Sequence, residues 1–130
     1  MAQTTAGVIL EPIVPNRRAF EIDGLRDLAA TELPLAFGSY GASAGPAAVT
    51  FSAIAAARVG LAEERIVRAL TLDAARLLGA ADRIGSIEAG KDADLVALSA
   101  PVIDPRAKVL LVVQDGVVIY RAQKAGETRK

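Results

Sequence analysis

Two apolar runs, each closed by proline or glycine, occur in the first third of the chain. They are Gly7–Val14, which reads GVILEPIV, and Pro34–Gly38, which reads PLAFG. Short runs that are apolar almost throughout are typical of strands buried on both faces. Between them, Asp23 is suited to cap a helix that reaches about Thr31, with Leu25 on its apolar face. The order strand, helix, strand predicts a parallel βαβ unit.

Three helical segments are predicted after the second strand. The Ala-rich segment Pro46–Val59 has proline in its first turn and stops at Gly60. Because this segment is apolar nearly all round, we expect its helix to be buried on several sides. Residues 61–70 place apolar side chains opposite charged ones, the pattern of a surface helix. Thr71 is expected to cap a further short helix that ends at Gly79, a left-handed C-terminal cap.

From Gly85 onwards the pattern changes to short β-branched runs separated by turns. Asp115-Gly116 joins two of these runs, residues 108–114 and 117–121. Asp-Gly between two such runs is a strong hairpin signal. We therefore predict an α/β fold class in three parts: a β/α unit over residues 1–79, an antiparallel β segment over 80–122 and a polar tail over 123–130.

Two sets of charged residues are weighed between a functional interpretation and a plainer, structural one. Asp92 and Asp94 are two apart and would point the same way on a strand, as paired carboxylates do. We favour the plainer interpretation, in which Asp92 belongs to a turn and Asp94 caps or bridges locally. Asp73 and Arg76 are three apart on one helix face and predict a surface ion pair that adds little to stability.

The composition narrows the classes of function. The 130 residues are 52% hydrophobic, and 15 basic side chains cancel 15 acidic ones. This balance lacks the basic footprint of a nucleic-acid or anionic-membrane binder, so we expect neither partner. The sequence starts without a signal-peptide pattern and has no apolar run near the roughly 20 residues of a membrane span. We therefore expect a cytoplasmic protein.

Histidine and cysteine are both absent from the sequence. The commonest general base is therefore missing, as are the imidazole and thiolate ligands that zinc prefers. A metal site built by this chain would depend on carboxylates, waters or a partner's ligands. We expect no cofactor to be held by this chain alone.

Residues 69–98 resemble the C-terminal signature of the amidohydrolase superfamily, the metal-dependent hydrolases that include imidazolonepropionase-like enzymes. The resemblance lies in a Thr-x-x-x-Ala-x-x-Leu-Gly helix over Thr71–Gly79 and in the run DRIGSIEAGKDADLV over Asp82–Val96. The segment Val109–Tyr120 is similar to the family's closing hairpin. The two apolar runs upstream resemble the seventh and eighth strands of the family's (β/α)₈ barrel.

The resemblance covers most of this chain but only the C-terminal portion of a typical family member. A complete barrel needs about 250 residues. The resemblance therefore implies a partial (β/α) barrel-type unit, two parallel strands with their helices. It also implies a small antiparallel β piece similar to the family's composite β-sandwich.

Members of that family bind one or two metal ions through histidines and an aspartate at the end of strand eight. That aspartate also takes a proton from the attacking water. The matching family segment commonly reads Gly-Ser-Asp, and here it reads Gly38-Ser39-Tyr40. A phenol with a pKa of about 10 stays protonated at neutral pH. The resemblance therefore implies that the acid/base group is absent and that Tyr40 packs or lines a pocket.

Four residues are candidates for ligand binding: Arg17, Arg18, Ser39 and Tyr40. The two arginines follow the first strand, on the face that holds the active site in such barrels. They could bind an acidic substrate group or be solvated loop charges. The glycine-rich residues 38–45 could hold an anion through backbone N–H groups. They lack the spacing of known phosphate loops, so we favour a plain loop.

Two hypotheses for function remain. In the first, the chain is an amidohydrolase-related polypeptide, a C-terminal portion or degenerate relative of a hydrolase of amide or other C–N bonds. It would be inactive alone, and its metal, histidines and remaining strands would come from a second chain or from a missing N-terminal part. In the second, it is a non-catalytic module whose apolar strands pair with a partner or a second copy. Both predict a homo-oligomer or a partner chain, whereas metal content and activity separate them.

Overall fold

The computed structural model describes residues 6–11, 20–39 and 47–123, with only the backbone described for 20–23. Within these ranges the chain forms five strands and four helices. In chain order they are β1 (Val8–Leu10), α1 (Phe20–Ala29), β2 (Leu35–Phe37), α2 (Ala47–Arg58), α3 (Glu63–Leu70), α4 (Leu72–Leu77), β3 (Leu95–Leu98), β4 (Val109–Gln114) and β5 (Val117–Arg121).

Strands β1 and β2 form a two-stranded parallel sheet. The Val8 amide donates to the Pro34 carbonyl at 2.9 Å, and the Gly38 amide donates to the Leu10 carbonyl at 2.8 Å. Because α1 connects the two strands, the predicted βαβ unit is confirmed. Both strands are shorter than the apolar runs that predicted them.

The two strands differ in burial. In β2, Leu35 and Ala36 are buried, whereas Ile9 of β1 is 54% exposed. The prediction of burial on both faces is therefore wrong for β1. The reason is that α2, α3 and α4 all pack against β2, and the described part of the chain leaves Ile9 uncovered.

One hydrophobic cluster surrounds β2. Its buried members are Leu35, Ala53, Ala56, Leu61, Ile66 and Ala69. The expectation that α2 is buried on several sides is wrong, because one face of the helix enters this core while Phe51 is exposed on another. The small alanine side chains on the buried face let the helix approach β2 closely.

The helix C-termini follow the sequence predictions. Gly60 and Gly79 both have positive φ, at +100° and +69°. The Ala80 amide donates to the Ala75 carbonyl at 2.8 Å, the six-to-one bond of a Schellman motif. The left-handed cap at Gly79 is confirmed.

The two predicted N-terminal caps are wrong. Helix α1 begins at Phe20, so Asp23 lies within it rather than before it. Thr71 occupies the N-cap position of α4, but its side chain makes no cap hydrogen bond to the helix. The Thr71 hydroxyl instead donates to the Val67 carbonyl at 2.7 Å, because open carbonyls at the end of α3 compete for it.

Strands β3, β4 and β5 form an antiparallel sheet in that order. Asp115 and Gly116 have φ of +49° and +76°, as a type I′ hairpin turn requires, and the predicted hairpin is confirmed. The Asp94 carboxylate accepts the Asp115 amide at 2.8 Å, and Asp92 pairs with Arg83 at 2.7 Å. The plainer interpretation of the two aspartates is therefore correct.

Much of the antiparallel sheet is exposed. In β5, Val117, Val118, Ile119 and Tyr120 all have exposed side chains. Val102 and Ile103, in the connection between β3 and β4, pack against the helical core. The described chain is thus a mixed α/β structure with a small antiparallel sheet beside a βαβ-centred core.

Candidate functional site

The carboxyl ends of β1 and β2 lie at one edge of the parallel sheet. Open α/β sheets and barrels place their ligands at this edge. Ser39 lies two residues beyond β2 and is exposed there. The other three candidates, Arg17, Arg18 and Tyr40, lie outside the described residues, as does most of the segment 38–45.

One polar residue at this edge was not among the candidates predicted from the sequence. Glu11 directly follows β1 and is exposed. The preceding residue, Leu10, is bonded through its carbonyl to the Gly38 amide, so Glu11 and Ser39 follow adjacent strand ends. Glu11 could have been singled out, because it is the single charged side chain of the run Gly7–Val14. It was not, because the run was predicted to be a buried strand, in which an exposed acid is not expected.

The donor groups do not fit the metal centre that the amidohydrolase resemblance implies. That centre takes several histidines, and the sequence has neither histidine nor cysteine. Within the described ranges, no three acidic side chains are grouped closely enough to share a metal ion. Glu11 at the strand edge offers one carboxylate, which is too few for a metal held by this chain alone.

A second polar group, which we call the Asp73 cluster, consists of Asp73 with Arg65, Arg68 and Arg76. Asp73 has no exposed area. Its Oδ1 accepts hydrogen bonds from Arg68 Nη2 and Arg76 Nη1, both at 3.2 Å. Arg65 Nη1 lies 3.9 Å from Oδ2. Three guanidinium groups therefore compensate one buried carboxylate, which would otherwise be costly to remove from water.

The prediction of a surface ion pair between Asp73 and Arg76 is correct for the pairing and wrong for its location. Asp73 and Arg76 do pair, but the carboxylate is buried rather than solvated. Arg65 and Arg68 were missed because they lie on the previous helix, beyond the break at Thr71. That residue has φ −130° and ψ −94°, values outside the helical region, and their effect on the path of the chain was not readable from the sequence.

Arg65 extends the Asp73 cluster toward β2. Its Nη2 donates to the Thr31 carbonyl at 3.1 Å and to the Leu33 carbonyl at 3.0 Å. These carbonyls belong to the segment that leads from α1 into β2. One guanidinium group thus links α3 to the strand whose far end carries Ser39.

An apolar cleft of about 400 Å³ lies between α2 and the residues around β3 and β4. It is lined by Ala47, Thr50, Phe51, Ile54, Leu98, Val102, Asp104, Pro105, Ala107 and Val109. Hydrogen bonds from the Arg106 side chain and backbone lower the pKa of Asp104 to about 2. This carboxylate stays ionised at neutral pH and is occupied by Arg106, so it is unsuited to act as a general acid or base.

No helix in the described parts of the chain is both long and apolar enough to cross a membrane.

Comparison with known proteins identifies the family. The family model described as "Amidohydrolase family" matches residues 15–121. Imidazolonepropionase from Porphyromonas gingivalis is 47% identical over 49 residues, covering 38% of this chain and 12% of that protein. S-triazine hydrolase from Gordonia rubripertincta is 54% identical over 35 residues, covering 27% of this chain and 7% of that protein.

Solved structures match over a longer stretch than these two sequence relatives do. The crystal structure of an amidohydrolase from Thermotoga maritima MSB8 matches with a TM-score of 0.70 and 36% identity, over 78% of this chain and 26% of that chain. A Xaa-Pro dipeptidase with bound methionine in its active site matches with a TM-score of 0.63 and 26% identity, over 78% of this chain and 25% of that chain. This chain thus spans about a quarter of these structures and less of the two sequence relatives. The family match covers most of its residues, and the chain belongs to the amidohydrolase family.

Proposed function

We propose that this chain forms the C-terminal part of an amidohydrolase-type hydrolase and is inactive on its own. Its β1–α1–β2–α2 segment would supply the last strands and helices of the (β/α) barrel, and its antiparallel sheet would supply part of the composite β-sandwich. The rest of the enzyme, either a second polypeptide or a preceding part of the same one, would complete the barrel and bring the histidines. The reaction class would be the hydrolysis of an amide or other C–N bond.

The observation that carries this proposal is that the described residues form a parallel sheet of two strands, and that no metal-binding group of side chains is found among them. Parallel sheets are stable when both faces are covered and their strands have neighbours. Ile9, at 54% exposure, lies on a strand with one described neighbour. A completed barrel would cover this strand and supply the missing metal ligands together.

Within the completed enzyme, the chain's own role would be to shape the carboxyl edge of the barrel. Ser39 offers a hydroxyl and Glu11 a carboxylate at adjacent strand ends, and both are exposed toward the edge where family substrates bind. Arg17 and Arg18, which follow β1 in the sequence, would add positive charge that selects an acidic substrate group.

Metal content and hydrolysis by the purified 130-residue chain test the proposal. Elemental analysis after incubation with zinc or manganese is expected to find well under one ion per chain, and a lactam or a dipeptide is expected to stay intact. Stoichiometric metal together with hydrolysis would overturn it. We also propose that the protein is cytoplasmic, as expected from the sequence, and cell fractionation would test this location.

A second candidate function is a non-catalytic module that forms a homo-oligomer. The specific observation in its favour is β5, whose apolar side chains from Val117 to Tyr120 are all exposed. Co-purification from the source cell separates the two candidates. A stoichiometric partner with a His-x-His sequence supports the split enzyme, whereas metal-free, inactive protein that purifies without such a partner supports the module.

A further inference from the structure

The Asp73 cluster contains more positive than negative charge. Three arginines face one carboxylate, and Arg76 also acts on the carboxylate of Glu88. The pKa of Glu88 is lowered first by the Ser86 hydroxyl, then by Lys91, with Arg76 contributing least. Glu88 also lies 3.6 Å from Lys91, so it does not offset the surplus on the arginines.

Two of the arginines are held close together and remain partly open to solvent. Arg68 Nη2 and Arg76 Nη1 both lie 3.2 Å from the same oxygen of Asp73, so the two guanidinium groups are neighbours. The Arg68 and Arg76 side chains are 43% and 41% exposed. Each guanidinium carries five N–H donors, and a single bond to Asp73 leaves most of them for another acceptor.

We propose that Arg68 and Arg76 form a binding site for an oxyanion, a phosphate or a carboxylate group. Guanidinium groups match the planar or tetrahedral oxygens of such groups with paired, charge-assisted hydrogen bonds. The oxyanion belongs either to a free phosphorylated ligand or to an acidic side chain of a bound protein. The site lies on α3 and α4 and does not depend on completion of the barrel.

Asp73 is the positioning residue of this site. Two guanidinium groups repel each other in the absence of a shared anion, and the buried carboxylate removes that repulsion from the inner side. Arg65, whose Nη2 bonds the carbonyls of Thr31 and Leu33, supplies a third positive charge behind Asp73. The arrangement holds the two outer arginines close together while their side chains stay partly exposed to solvent.

Titration of the full chain with inorganic phosphate and with succinate, at constant ionic strength in chloride, tests the site. We expect saturable binding, with shifts of the Arg68 and Arg76 side-chain NMR signals. R68Q and R76Q are expected to weaken it about tenfold or more. R83Q is the matched control, because it removes one positive charge from an exposed pair with Asp92 and is expected to leave binding unchanged.

The two anions distinguish the source of the oxyanion. Tighter binding of phosphate than of succinate assigns the site to a phosphorylated ligand, and tighter binding of succinate assigns it to carboxylates. If R68Q or R76Q fails to fold, R68K and R76K keep the charge, and their loss of affinity tests the paired geometry. The proposal is wrong if the folded wild-type chain shows no saturable binding, or if R83Q weakens binding as much as R76Q does.

Discussion

Position 85 requires glycine for two reasons, its backbone conformation and the close approach of its neighbours. Its φ is +94°, and a Cβ added there would lie 2.8 Å from the Ala75 Cβ and 2.9 Å from the Leu72 Cα. A left-handed φ favours glycine, and the contacts exclude a side chain independently. Gly90 has nearly the same φ, +91°, but nothing lies within 4 Å of its added Cβ.

Alanine substitutions at Gly85 and Gly90 allow the cost of backbone strain to be compared with the cost of steric overlap. G85A is expected to lower the free energy of unfolding by about 2–4 kcal/mol, because strain and overpacking add. G90A is expected to lower it by about 1 kcal/mol through backbone strain alone. Chemical denaturation followed by circular dichroism measures both. Equal losses would show that the close contacts of Gly85 relax without cost.

At the scale of elements, the Asp73 cluster joins α3, α4 and the segment that leads into β2. D73N keeps the shape of the side chain but removes the charge that three guanidinium groups share. We expect a loss of about 3–5 kcal/mol in unfolding free energy, the cost of breaking a buried ion pair from one side. The control D92N acts on an exposed pair with Arg83 and should cost less than about 1 kcal/mol. A loss for D73N as small as that of D92N would contradict the structural role of the cluster.

Elements set by local chemistry were predictable from the sequence. The Asp115-Gly116 hairpin and the glycine C-caps depend on residues that tolerate positive φ, and both were correct. The caps assigned to Asp23 and Thr71 were wrong for different reasons: α1 begins at Phe20, upstream of Asp23, and the Thr71 hydroxyl bonds the Val67 carbonyl instead of α4. The burial of Asp73 was unpredictable because it depends on how two helices meet across Thr71. At the strand edge Ser39 follows β2 and is exposed, and the binding roles of Ser39, Arg17, Arg18 and Tyr40 all stay predictions.

At the scale of the whole molecule, the antiparallel sheet presents an apolar surface. Ile119 is 59% exposed in the middle of β5, so we expect the chain to associate with itself or a partner as concentration rises. I119K should shift purified chain toward monomer in light scattering. Q114K adds the same charge at an exposed residue that ends β4 and should leave the association unchanged. A monomer at all concentrations in the wild type would contradict this expectation.

The exposure of Ile9 on β1 has a consequence for how long the chain survives in the cell. A strand that exposes Ile9 and has one hydrogen-bonded neighbour can recruit any extended segment it meets, including another copy of itself. Copies in which this strand stays uncovered would then be lost to aggregation or proteolysis. The lifetime of the chain in the cell is therefore expected to depend on the fraction of copies in which β1 is covered.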